Sequence, residues 1–154
     1  MRREGRRLRF ERLRHLVGRA HTEAVRCEKA RAYFAGWVML GVALEAALVA
    51  MTRVYPHHPY KFHKTIARWW SLDDLIKVSE RAGWLQPDGV RAAKRIQQWR
   101  NFLHADKFAQ RRSLSVRHRT LDARLKDFEL ITGQLYDFIV GPGGLAQAIK
   151  RMAP

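Results

Sequence analysis

Cysteine is nearly missing from this 154-residue chain: Cys27 stands alone. That excludes an intramolecular disulfide framework and any cysteine-rich zinc site, and it suits a reducing cytoplasm. Proline is scarce, with five in all and none between Leu8 and Val54. One long helix, or two collinear ones, is therefore expected over that span. Acidic residues are few, 14 Asp and Glu against 30 Lys and Arg. No apolar stretch with a small-residue cleavage site follows the N-terminal charges, so secretion is not expected. No segment alternates as a strand, no internal repeat is visible, and no Gly-rich phosphate loop, Ser-His-Asp order or paired-carboxylate motif stands out.

What remains is basic and helical. The formal charge of +16 and pI near 11.2 point to polyanionic partners: RNA, DNA, an anionic membrane face or an acidic protein. The first twenty residues hold Arg2, Arg3, Arg6, Arg7, Arg9, Arg12, Arg14 and Arg19 against Glu4 and Glu11, yet the body stays basic without them. Leu8, Phe10, Leu13, Leu16 and Val17 allow this region to form an amphipathic helix, a basic extension over residues 1–32 that suits nucleic acid or an anionic membrane. Hydrophobic content of 47% fits one folded domain spanning residues 1–154.

The stretch YFAGWVMLGVALEAALVAM, residues 33–51, is long enough to cross a membrane. Glu45 would then lie in hydrocarbon at a cost of about 3 kcal/mol or more. A centrally buried helix is the preferred reading, with no membrane insertion. Its small residues, Gly36 and Gly41 among them, suit close helix packing.

Pro56 and Pro59 end that helix. Ser71 and Asp74 resemble a capping box and Gly83 a C-terminal stop, with Leu72, Leu75, Ile76 and Val78 as an inner face between them. Pro87 and Asp88 open the next helix, with Asp88 expected as its cap and Val90, Ala93, Ile96, Trp99 and Leu103 facing inward. Residues 105–120 show no sustained period. From near Thr120 the residues Leu121, Leu125, Phe128, Ile131, Leu135 and Phe138 mark a buried stripe, which GPGG at 141–144 terminates before a basic tail over 145–154. The fold class is all-α, a four-helix-type bundle with a long basic N-terminal helix.

WRNFLHADKF, residues 99–108, carries the most suggestive chemistry. Arg100 and His104 are one helical turn apart at the edge of the apolar side, by the rotation of about 100° per residue. An Arg fork can bind phosphate, and a His can exchange a proton near neutral pH. Together they could cleave RNA without a metal, with Asn101 orienting phosphate or imidazole. The bland alternative is that both complement a helix C-terminus, and Arg9 to His15 and Arg112 to His118 show how readily such pairs arise in this chain. Glu45 should meet a cation: Arg100, which it would then fix, or another Arg or a Trp indole in a purely structural role. His57, His58 and His63 lack accompanying carboxylates and read as a loop rather than a metal site. Trp69, Trp70, Trp84 and Trp99 could stack on bases, but their hydrophobic periods favour core or dimer-interface packing.

The run WSLDDLIKVSERAGWLQPDGVRAAKRIQQWRNFLHADK, with GVALEAAL before it and an amphipathic helix after it, resembles bacterial HEPN-type proteins over residues 33–140. The resemblance implies a dimeric helical bundle with a metal-independent endoribonuclease site, needing no cofactor, in a toxin-antitoxin or phage-defence system. By that resemblance Arg100 binds phosphate, Asn101 is the polar residue after it and His104 transfers protons. The segment between Arg and His, Asn101-Phe102-Leu103, is shorter than the family's usual spacing. RNA, a second copy of the chain and an antitoxin are the implied partners, with Arg95, Lys107, Arg111 and Arg112 as further nucleic-acid contacts. A non-catalytic bundle that binds RNA or a protein through its basic surface is the alternative.

Overall fold

The computed structural model describes residues 2–55, 70–102 and 118–141. Five helices and no strand occur among them: α1 Arg2–Lys29, α2 Tyr33–Val54, α3 Leu72–Arg81, α4 Pro87–Phe102 and α5 His118–Val140. The architecture is an all-α bundle. Residues 56–69, with His57, His58, His63 and Trp69, and residues 103–117 and 142–154 lie outside the described residues, whereas the last three residues of the expected irregular stretch, 118–120, already belong to α5.

The expectation of one helix, or two collinear ones, over Leu8 to Val54 is corrected. Helices α1 and α2 are separated by a tight turn and pack along each other. Arg31 takes the left-handed conformation, φ 58°, and the chain reverses through a Schellman motif. Its amide donates to the Glu28 carbonyl at 3.0 Å, and the Ala32 amide donates to the Cys27 carbonyl at 2.8 Å. No proline or glycine marks this turn. The gain is burial: after it, the apolar side of α2 faces Ala20 and Ala24 of α1, which are 3% and 0% exposed. The arginine pays a left-handed penalty that glycine would not. Arg31→Gly should therefore raise stability by about 1 kcal/mol in urea unfolding, with the transition slope unchanged.

Helix α2 is the centre of the molecule. It packs against α1, α3, α4 and α5, and Trp37, Leu40, Leu44 and Leu48 are almost wholly buried. By length and composition it could cross a membrane, but most of its apolar surface is already covered by protein. Gly36 marks its closest approach to its neighbours. A Cβ there would stand 2.5 Å from Leu121 of α5 and 3.2 Å from Cys27 of α1.

Helix α3 begins with the capping box expected of Ser71 and Asp74. The Asp74 amide donates to Ser71 Oγ at 3.2 Å, and the Ser71 amide donates to Asp74 Oδ2 at 2.9 Å. Gly83, φ 71°, follows the helix as its stop. The start of α4 departs from expectation. Pro87 is the first helical residue, so Asp88 lies inside the first turn and Gln86 flanks the helix. Proline suits that place because its missing amide hydrogen has no helical partner there. Instead of capping in the ordinary way, Asp88 Oδ1 accepts from the Gly89 amide and from Gln134 Nε2 of α5, while Gln134 Oε1 accepts from the Gln86 amide. These donors hold the Asp88 carboxyl below its ordinary value. The linkage is intact above the ordinary carboxylate range and is lost as pH falls through the lowered value.

The stripe on α5 is buried as its spacing implies, with Leu121, Leu125, Phe128, Ile131 and Leu135 in the core. At the far end, Tyr55 meets Phe138 edge-on at 5.3 Å and Trp84 at 6.2 Å. Trp70 and Trp84 are buried in the same core, which leaves neither face free for a base.

Candidate functional site

Arg100 stands in the last turn of α4, where its charge complements the helix C-terminus. Its stem lies over Gly41 of α2. A Cβ on Gly41 would be 3.0 Å from Arg100 Cδ and 3.2 Å from Cγ, so the glycine makes the berth for this side chain. One turn further along α2, Glu45 Oε2 lies 2.7 Å from Arg100 Nη2. Glu45 is thus paired with Arg100, at the rim of the core rather than deep inside. The two side chains are 37% and 38% exposed, so water or a ligand can reach the guanidinium. A pair this open contributes about 0.2 to 1 kcal/mol, which makes its value one of position more than of stability.

The same end of α4 is anchored by Trp99, which stacks on Trp37 with ring centres 4.8 Å apart and planes 19° apart. Trp37 is 1% exposed, whereas Trp99 is only partly covered. The stack limits rotation of α4 about its axis and so fixes the direction in which Arg100 leaves the helix. Asn101 is half-buried beside Arg100. His104, Lys107, Arg111 and Arg112 lie outside the described residues.

Arg95 sits elsewhere on α4 and is engaged by α5. Its Nε donates to Asp127 Oδ2 at 3.0 Å and its Nη2 to Oδ1 at 2.5 Å, a two-pronged bond. Arg124 Nε approaches the same carboxylate at 2.8 Å without hydrogen-bond alignment. The carboxylate bond raises the pKa of the Arg95 guanidinium, and burial lowers that of Arg124. Arg95 still leaves 41% of its side chain exposed. Among the described residues, no three His, Cys, Asp or Glu side chains cluster as a metal site requires.

Sequence reasoning missed Gly41, the Trp37 and Trp99 stack, and the Asp127 clasp. The spacing of Gly41 and Glu45, one turn apart on the most apolar helix, was the available signal for the first. Asp127, set between Leu125 and Phe128 in the buried stripe, was the signal for the last.

Comparison with models of known protein families, with curated proteins and with solved structures finds no match.

Proposed function

We propose that the chain is an RNA-directed, HEPN-like protein that cleaves RNA without a metal, using Arg100 and His104 with Asn101 beside them. The observation that carries this reading is a guanidinium held open to solvent by Gly41 and Glu45, one helical turn before a histidine in sequence. In this reaction the ribose 2′-oxygen attacks the adjacent phosphorus and the bond to the 5′-oxygen breaks. His104 takes the 2′-hydroxyl proton or protonates the leaving oxygen, and Arg100 stabilises charge on the five-coordinate phosphate. One imidazole cannot do both at once, so a homodimer supplying two copies suits the chemistry. Cytoplasmic action in a toxin-antitoxin or phage-defence system is the biological role that goes with this reading.

The test is incubation of the wild type and His104→Ala with a mixed pool of structured and single-stranded RNA in EDTA. Cleavage by the wild type alone, with 2′,3′-cyclic phosphate ends, is the expected result. Cleavage equal in both proteins would remove His104 from the reaction.

A second reading, a non-catalytic bundle that binds RNA or protein, is favoured by the same ion pair, because Glu45 already holds one nitrogen of the Arg100 guanidinium. Glu45→Gln separates the two. If Arg100 acts in cleavage, loss of the carboxylate should tighten RNA binding while lowering turnover about tenfold or more, because the guanidinium is freed but no longer aimed. In the non-catalytic bundle only the binding changes.

A further inference from the structure

We propose that the outward face of α1 is a phosphate-binding rail on which nucleic acid lies, apart from the Arg100 site. Arg12, Arg19 and Arg26 follow one another at seven-residue intervals, which places them on one face about 10.5 Å apart along the axis. His15 and Thr22 fall between them on the same side. All five are exposed. Gly18 leaves a shallow depression in this face, lined by Arg14, His15, Arg19, Thr22, Glu23 and Arg26.

Two of the three rail charges are available, and Arg26 has to exchange Glu23 for a phosphate. Glu11 is taken by Arg14 at 3.0 Å and Glu23 by Arg26 at 2.6 Å, whereas no ion pair holds Arg12 or Arg19 among the described residues. Lys29 is the only lysine of α1, and every other cation on it is an arginine, whose planar fork suits phosphate oxygens.

Burial decides between the two polyanions that such a helix could meet. An interfacial membrane helix must insert an apolar face. On α1 that face is already spent inside the protein: Ala20 and Ala24 are buried, and Phe10, Val17 and Val25 pack against the core. Of the large apolar side chains described on α1, Leu16 alone is markedly exposed, at 43%. What α1 offers outward is a row of guanidiniums, fit for a sequence-independent grip on a phosphate backbone. That the backbone belongs to RNA rests on the proposed function; the phosphate chemistry does not.

The test uses the full chain and a fluorescent, mixed-sequence 2′-O-methyl RNA oligonucleotide, which has no free 2′-hydroxyl to cleave. Affinity is measured over a range of salt for the wild type, for Arg12→Gln/Arg19→Gln/Arg26→Gln, and for Arg53→Gln/Arg91→Gln/Lys94→Gln. The last set removes the same charge from exposed positions on α2 and α4. The slope of log affinity against log salt should fall by roughly 2 in the α1 variant, at about 0.7 per phosphate contact on a single strand, and hold in the other. Equal losses in both variants, or none in the α1 variant, would overturn the rail. So would loss of binding to phosphatidylserine vesicles with oligonucleotide binding kept. If circular dichroism shows the triple variant unfolded, Arg19→Gln alone decides, with an expected fall of about 0.7. The readout needs no cleavage: a rail on a protein that leaves RNA uncut would stand, and cleavage with an unchanged slope would sink the rail alone.

Discussion

Replacing Asp127 by Ala should lower stability by about 3 kcal/mol or more, which for a domain of this size moves the thermal midpoint down by roughly 6 to 12 °C. Asp127 is 9% exposed and faces two guanidiniums, Arg95 from α4 and Arg124 one turn before it on α5. Removing the carboxylate leaves Arg124, 16% exposed, without its counter-charge, in surroundings that already disfavour the cation. The cost comes chiefly from that stranded charge, since Arg95 can turn toward water. A double variant, Asp127→Ala with Arg124→Met, should therefore regain most of the loss. Chemical denaturation of the single and double variants measures this directly, and a single variant within about 0.5 kcal/mol of wild type would show that the clasp contributes nothing.

On the proposed reading, in which the chain cleaves RNA, Arg100→Ala should lower cleavage by about 100- to 1000-fold while shifting the thermal midpoint by only a few degrees. The separation between these effects is what distinguishes a chemical role from a structural one. The ion pair with Glu45 is open to solvent and contributes little to stability, and the stem lies over Gly41 in a side chain that is 37% exposed. Arg100→Lys should restore stability but little of the rate, because an ammonium cannot offer two parallel donors to a phosphate. Parallel loss of rate and of folded protein across these variants would instead place Arg100 in the scaffold. Gly41 offers a complementary control, since a side chain there would push the Arg100 stem from its berth without touching any charge.

Helix by helix, much of the architecture was legible in the chain. The capping box at Ser71 and Asp74, the stop at Gly83 and the buried stripe from Leu121 to Leu135 are local signals, set by hydrogen bonds and spacings within a few residues. The reversal between α1 and α2 was not legible, because its turn is carried by Arg31, a residue with no preference for the left-handed conformation. Tertiary burial imposes that turn. Likewise the cap of α4 was misplaced by two residues: Gln86 flanks the helix, and Asp88, inside the first turn, binds Gln134 of α5, far along the chain.

The candidate site divides in the same way. By itself the sequence determined the all-α class, the basic surface and the placing of Arg100 and Asn101 in the last turn of a helix, because charge and helical period are properties of residues and their near neighbours. Only the tertiary structure decided which cations are held and which are free. Arg95 is bound to Asp127, Arg100 rests on Gly41 within reach of Glu45, and Arg12 and Arg19 face outward without an ion pair among the described residues. The physical reason is range: helix formation is written in spacings of three and four residues, whereas an ion pair between helices depends on which faces the core brings together.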